Sequence, residues 1–147
     1  MRILKTILKI VLNVVLYVAI VAAIVWGVPK LLEAKLGTKY PIAAITSGSM
    51  WPVLHTGDIV LIRKTPKEEI KVGDIVVWQN EKGFTIHRVA KLNEDTLVTK
   101  GDANFTEDPA VPYSDVIGKT VYMGEKPFRV PYLGFISVIG ARWRSGK

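Results

Sequence analysis

The chain has 147 residues, 49% of them hydrophobic, a formal net charge of +7 and no cysteine. That length allows one modest domain beside an anchor, and the lack of cysteine excludes disulfides and a thiol nucleophile and leaves any zinc site to two histidines and carboxylates. Its basic residues gather at Arg2, Lys5 and Lys9, at Lys30, Lys35 and Lys39, and at Arg142, Arg144 and Lys147, with no recognisable nucleic-acid-binding motif, which suits anionic lipid headgroups better than nucleic acid.

From Ile10 to Val28 the sequence reads IVLNVVLYVAIVAAIVWGV, and Asn13 is its one strongly polar side chain. As a helix rising about 1.5 Å per residue, this run nearly crosses a hydrocarbon core of about 30 Å. Ile3, Leu4, Ile7, Leu8, Leu31 and Leu32 can lengthen it, and Trp26 suits the interface. The basic start also fits a cleaved secretory signal, but the apolar run exceeds the usual length of about 7 to 15 residues and Trp26-Gly27-Val28-Pro29-Lys30 lacks a small-x-small cleavage site. A retained anchor is therefore expected. Basic residues on both flanks leave its orientation open.

Beyond Pro41 the pattern changes to short apolar runs of strand length. Ile59–Ile62, Asp74–Trp78, Phe84–Val89 and Thr96–Thr99 are rich in β-branched residues. Gly57-Asp58, Gly73-Asp74, Glu81-Lys82-Gly83 and Asn93-Glu94-Asp95 supply turns between them. No long amphipathic helical period or Gly-rich phosphate loop interrupts this pattern, which argues against a βαβ nucleotide fold. The expected fold is mostly β: an N-terminal transmembrane helix with its basic flank in residues 1–36, then a compact antiparallel β domain in 37–147. The closing run from Gly134 to Lys147 is too short for a second span.

Ser49 stands in Thr46-Ser47-Gly48-Ser49-Met50-Trp51-Pro52, about twenty residues after the apolar run. An isolated serine of this kind is ordinary loop chemistry. As a nucleophile it needs a base to take its proton and donors for an oxyanion. The histidines are His55, in a turn-like stretch where exposure is the default, and His87, inside a strand pattern where Ile86 and Val89 mark one core-side register. Spacing alone places neither ring beside Ser49.

Ser47-Gly48-Ser49-Met50-x-Pro52, Gly57-Asp58, Val72-Gly73-Asp74-Ile75-Val76, Ile86-His87-Arg88-Val89, Thr99-Lys100-Gly101-Asp102-x-Asn104 and a closing-strand motif, Val130-Pro131-Tyr132-Leu133-Gly134, follow one another along nearly the whole chain after Pro41. In this order they resemble the type I signal peptidases, in particular the archaeal and endoplasmic-reticulum branch. The resemblance implies Ser49 as nucleophile and His87 as general base, where the bacterial branch carries lysine; Lys64 and Lys100 are the lysines a Ser-Lys variant would need. The acidic partner maps onto Asp108, with Asp102 as competitor. Ser47, through its hydroxyl, and Ser49, through its backbone N–H, are implied as oxyanion donors.

The resemblance further implies a membrane-bound serine endopeptidase, of Ser-His-Asp type and without metal or other cofactor, that removes signal peptides from translocated preproteins. Ala43, Ala44, Ile45 and Thr46 and the strand of His87 are the expected walls for an extended substrate. Implied surroundings are the lipid bilayer of the cell or endoplasmic-reticulum membrane, with the β domain on the extracytoplasmic side, and the protein-translocation machinery. Nucleic acid is not expected. Two other readings remain open: a non-enzymatic anchored β module in which Ser49 and His87 are structural, and a self-cleaving regulatory serine protease, which the apolar run disfavours.

Overall fold

A helical rod and an antiparallel sheet make up the computed structural model, which describes residues 2–81 and 83–135. The turn position Lys82 and the basic tail with Arg142, Arg144 and Lys147 lie outside the described residues. The rod comprises α1 (Arg2–Ala22), a π-helical turn (Ala23–Gly27) and α2 (Val28–Leu36). The widened turn lies just ahead of Pro29, which has no N–H for the helical ladder and whose ring crowds the preceding turn. Gly37, at φ 67°, ends the rod in the left-handed conformation and donates its N–H to Glu33 O at 2.9 Å.

None of the residues of α1 is buried against the rest of the protein. A helix apolar on all sides is stable only in apolar surroundings. Among the described residues, the rod from Arg2 to Leu36 is the one helix long and apolar enough to cross a membrane, with a window of mean hydropathy 2.6. Its end is tied to the sheet, because Lys64 N–H donates to Leu36 O at 2.9 Å.

The strands are β1 (Ile42–Ala44), β2 (Ile59–Arg63), β3 (Ile75–Asn80), β4 (Gly83–Leu92), β5 (Thr96–Lys100), β6 (Val111–Pro112), β7 (Val116–Thr120), β8 (Tyr122–Met123), β9 (Lys126–Pro127) and β10 (Arg129–Val130). The main sheet runs β1-β2-β7-β3-β4-β5-β6, with β10 also on β2, and β8 and β9 form a separate hairpin. The fold is thus the mostly β, antiparallel domain after one apolar helix that the sequence predicts. The closing-strand motif differs in detail. Only Val130 of it is in β10, and the chain then turns at Pro131–Gly134, with Tyr132 at φ 65°.

Two apolar clusters hold the sheet. Ile45, Met50, Leu54, Val60 and Ile75 form one, with Ile86 against it; Ile70, Val76, Val89, Leu97 and Val111 form the other. Ile86 and Val89 therefore serve different clusters and do not share a core face. Side chains alternate along a strand, so residues an odd number apart point to opposite sides. Gly118 lets β7 enter the sheet: a Cβ there would lie 2.2 Å from Arg63 O.

Candidate active site

The loop between β1 and β2 is closed at its base by Ile45 N–H to Asp58 O and Gly57 N–H to Ile45 O, both 2.8 Å. Met50, 1% exposed, and Leu54, fully buried, then anchor it in the first cluster. Burying side chains of this size contributes on the order of 2 kcal/mol each. Ser49, next to Met50, is consequently held on a pinned loop. Its carbonyl accepts Ala103 N–H at 2.9 Å, and its hydroxyl lies 3.1 Å from Ser47 Oγ. Among the described residues, Ser49 N–H donates to no protein acceptor.

Gly101 permits this close approach of the loop after β5 to the serine loop. A Cβ on Gly101 would stand 2.7 Å from Ser49 O and from Asn104 Nδ2.

His87 lies on β4, 8% exposed, with Nδ1 2.6 Å from Asp108 Oδ2. With the carboxylate accepting the Nδ1 proton, the lone pair of the neutral ring is on Nε2. Asp108 Oδ2 also accepts the Thr99 hydroxyl at 2.6 Å, and Trp78 Nε1–H donates to Thr99 Oγ1 at 3.2 Å. Asp102 is engaged elsewhere. Arg88 donates Nε–H and Nη2–H to its two carboxylate oxygens at 2.8 and 2.7 Å, and Nη1–H to Gly73 O at 2.7 Å. The hydrogen bonds to Asp102 raise the Arg88 pKa, outweighing its partial burial, so Arg88 is a fixed cation. Successive strand residues alternate sides, and so His87 and Arg88 each take a different aspartate.

Ser47, Ser49, His87, Asn104 and the predicted wall residues Ala43, Ala44, Ile45 and Thr46 all line one cleft of about 630 Å³. Among the described residues no hydrogen bond joins Ser49 Oγ to the imidazole; such bonds often tighten only with substrate in place. Two strand edges border the cleft. β1 stands at the end of the sheet, and β4 pairs with β5 only from Arg88 onward, which leaves Phe84–His87 without a strand on that side among the described residues. Tyr40 and Phe84, also in the lining, contact each other with ring centroids 4.8 Å apart.

His55, Lys64 and Lys100 do not line this cleft. His55 Nδ1 is 3.2 Å from Arg129 Nη1, and Arg129 also donates to the buried Asp58 at 2.8 Å. Lys100 borders a separate hollow with Arg88 and Asp102. The sequence marks Thr99 only as the first residue of the Thr99-Lys100-Gly101-Asp102-x-Asn104 motif and gives neither it nor Trp78 a role of its own. Each reads as an ordinary strand residue until the pairing of β3, β4 and β5 is known.

A model of the Peptidase S24-like family matches residues 22–121, the stretch that carries Ser49, His87, Asp102 and Asp108. This chain belongs to that family. Among its relatives are the signal peptidase complex catalytic subunit SEC11 of Lodderomyces elongisporus, 32% identical over 120 residues that make up 75% of this chain and 71% of the relative, and SEC11C of Homo sapiens, 30% identical over 112 residues, 70% of this chain and 58% of the relative. The Plasmodium falciparum SEC11 is 31% identical over 118 residues, 74% and 63% of the two chains. By family the chain thus belongs with the type I signal peptidases of the endoplasmic-reticulum and archaeal branch. Its matched region spans 58% of the length of the mammalian relatives.

Proposed function

We propose that this S24-like chain is a membrane-anchored endopeptidase that removes signal peptides from preproteins. The observation that carries the reading is the common cleft, where the Ser47–Ser49 hydroxyl pair and the Asp108-bound imidazole of His87 face the space between two strand edges that are unpaired among the described residues. An extended peptide adds to such edges through its main chain and places alternate side chains in the wall. β1 with Ala43–Thr46 and the first half of β4 are those walls.

In the proposed reaction Ser49 Oγ attacks the scissile carbonyl carbon while its proton passes to His87 Nε2. The carbonyl oxygen becomes an oxyanion, to which Ser49 N–H and the Ser47 hydroxyl donate. Collapse breaks the C–N bond, and the imidazolium returns the proton to the leaving amine. Water, deprotonated by the same imidazole, then hydrolyses the acyl ester and restores Ser49. Asp108 holds the Nδ1–H tautomer and offsets the imidazolium charge; Asp102 fixes the loop through Arg88.

The deciding experiment is cleavage of a synthetic preprotein by the full chain in detergent. An intact preprotein after prolonged incubation would refute the reading. Ser47→Ala is expected to lower turnover by about a hundredfold to a thousandfold, the cost of one oxyanion donor, and an unchanged rate removes Ser47 from the site. Gly101→Ala is expected to push the Ser49 carbonyl aside and to cost about tenfold or more in kcat/KM, because small displacements of a nucleophile are expensive; wild-type kinetics would show that the contact relaxes freely.

In this reading residues 1–36 anchor the chain and 37–147 form the catalytic domain. The residues before the span face the cytoplasm and the sheet lies on the extracytoplasmic side of the cell or endoplasmic-reticulum membrane. The tie between Lys64 and Leu36 then keeps the domain near the bilayer surface, where the apolar segment of a preprotein ends. Sharing a bilayer raises the effective concentration of enzyme and substrate. Alkaline carbonate washing should leave the chain in the membrane pellet, since a spanning helix is not released by removing electrostatic contacts; recovery in the supernatant would overturn the anchor.

A further inference from the structure

We propose that Thr99 and Trp78 are positioning residues of this site: the indole N–H fixes the Thr99 hydroxyl, and that hydroxyl holds Asp108 against His87. The proposal rests on His87 as general base and Asp108 as its partner. It extends that reading to a buried hydroxyl and a half-buried indole whose hydrogen bonding packing alone does not explain.

Thr99 is fully buried in β5. A hydroxyl at such a position costs free energy unless it is hydrogen-bonded, and valine would fill the same volume without that cost. Its one proton and one of its two lone pairs are engaged. Trp78 Nε1–H donates to Oγ1 at 3.2 Å, which leaves the hydroxyl proton aimed at Asp108 Oδ2, 2.6 Å away. Asp108 N–H in turn donates to Thr99 O at 2.8 Å, so one residue of the sheet grips the aspartate by main chain and side chain. The same Oδ2 meets His87 Nδ1 at 2.6 Å.

This clamp answers a positional problem. Asp108 belongs to the irregular connection between β5 and β6, whereas His87 is on a strand inside the sheet. A carboxylate on such a connection is free to turn about its side-chain bonds unless something rigid holds it. Trp78, His87 and Thr99 stand on three adjacent strands and face one side of the sheet: Val76, two residues before Trp78, pairs with His87, and Val89, two residues after His87, pairs with Thr99. The sheet thereby sets the orientation of the aspartate, and through it the tautomer of the imidazole.

The test uses steady-state cleavage of a synthetic preprotein by full-length variants in detergent. Thr99→Val keeps the volume and removes the hydroxyl; it should lower kcat by about tenfold to a hundredfold with KM nearly unchanged, since the group acts on the base and touches no substrate. Thr99→Ser should restore kcat to within about threefold of wild type, and Trp78→Phe, which spares the bond from Thr99 to Asp108, should cost only several-fold. Added to Asp108→Asn, Thr99→Val should cost little more, because the partner it holds has already lost its charge. Wild-type kcat in Thr99→Val beside an impaired Asp108→Asn, or full additivity in the double variant, would overturn the proposal and leave the peptidase reading standing. If Thr99→Val does not fold, wild-type kcat in Trp78→Phe overturns it. An inert wild-type protein, or an active His87→Ala variant, would instead defeat the underlying reading and this proposal together.

Discussion

Purified Ser49→Ala protein is expected to fold as wild type does and to cleave no preprotein. The substitution removes one oxygen from a partly exposed position and leaves Met50 and Leu54, which pin the loop, in place. The bond between Ser49 O and Ala103 N–H is made by the backbone and survives. Thermal stability should therefore move little, since substitutions away from buried features usually cost less than about 0.5 kcal/mol. Turnover should drop by about ten-thousand-fold or more, equivalent to about 5.5 kcal/mol of transition-state stabilisation, because the attacking oxygen is gone. The nearest group of that kind is Ser47, 3.1 Å away, and its hydroxyl is the second oxyanion donor in the proposed reaction. Wild-type turnover in the purified variant would move the nucleophile away from Ser49. Measuring Ser47→Ala in parallel then tells whether the pair has exchanged roles.

How much of this the chain itself reveals varies with the element. β2, β3, β4 and β5 are legible because β-branched residues recur in short runs between Gly-Asp and Asn-Glu-Asp turns. β7 is not, for a physical reason: its middle residue is Gly118, chosen for the close passage of Arg63 O and not for strand propensity. The two-residue strands β6, β8, β9 and β10 carry no period to detect. The helical rod is legible from composition, but its π-helical turn becomes apparent only when the ladder around Pro29 is drawn.

The same division runs through the site. The residue types that suit acyl transfer can be named from motifs, whereas the competition between Asp108 and Asp102 is a matter of which side of β4 each aspartate meets. His87 and Arg88 are neighbours in sequence, and the alternation of a strand sends one to Asp108 and the other to Asp102. Lys100 and His55 are likewise separated from Ser49 by location, since both lie outside the cleft. Thr99 opens a motif but has no role legible in it; its meaning depends on β4 and β5 meeting at one oxygen of Asp108, with Trp78 of β3 bonded to the Thr99 hydroxyl.

His87→Ala and His87→Lys should both be nearly inactive, by about a thousandfold or more in kcat, and the lysine result is the more telling one. An amine can act as base only when its surroundings favour the neutral form. At position 87 the opposite holds: the Asp108 carboxylate, now 2.6 Å from His87 Nδ1, would pair with an ammonium and keep it charged. A lysine there becomes one half of an ion pair, and the proton of Ser49 has nowhere to go. Asp108→Asn should be impaired by about a thousandfold to ten-thousand-fold, as expected when the group that fixes the tautomer loses its charge. Asp102→Asn should weaken the grip of Arg88, lower thermal stability and cost less than about tenfold in turnover. His55→Ala, remote from the cleft, should cleave at a near-normal rate. Robust turnover by His87→Ala would reject Ser-His chemistry and direct attention to Lys64 and Lys100; equal losses in Asp108→Asn and Asp102→Asn would remove the distinction drawn from the two faces of β4.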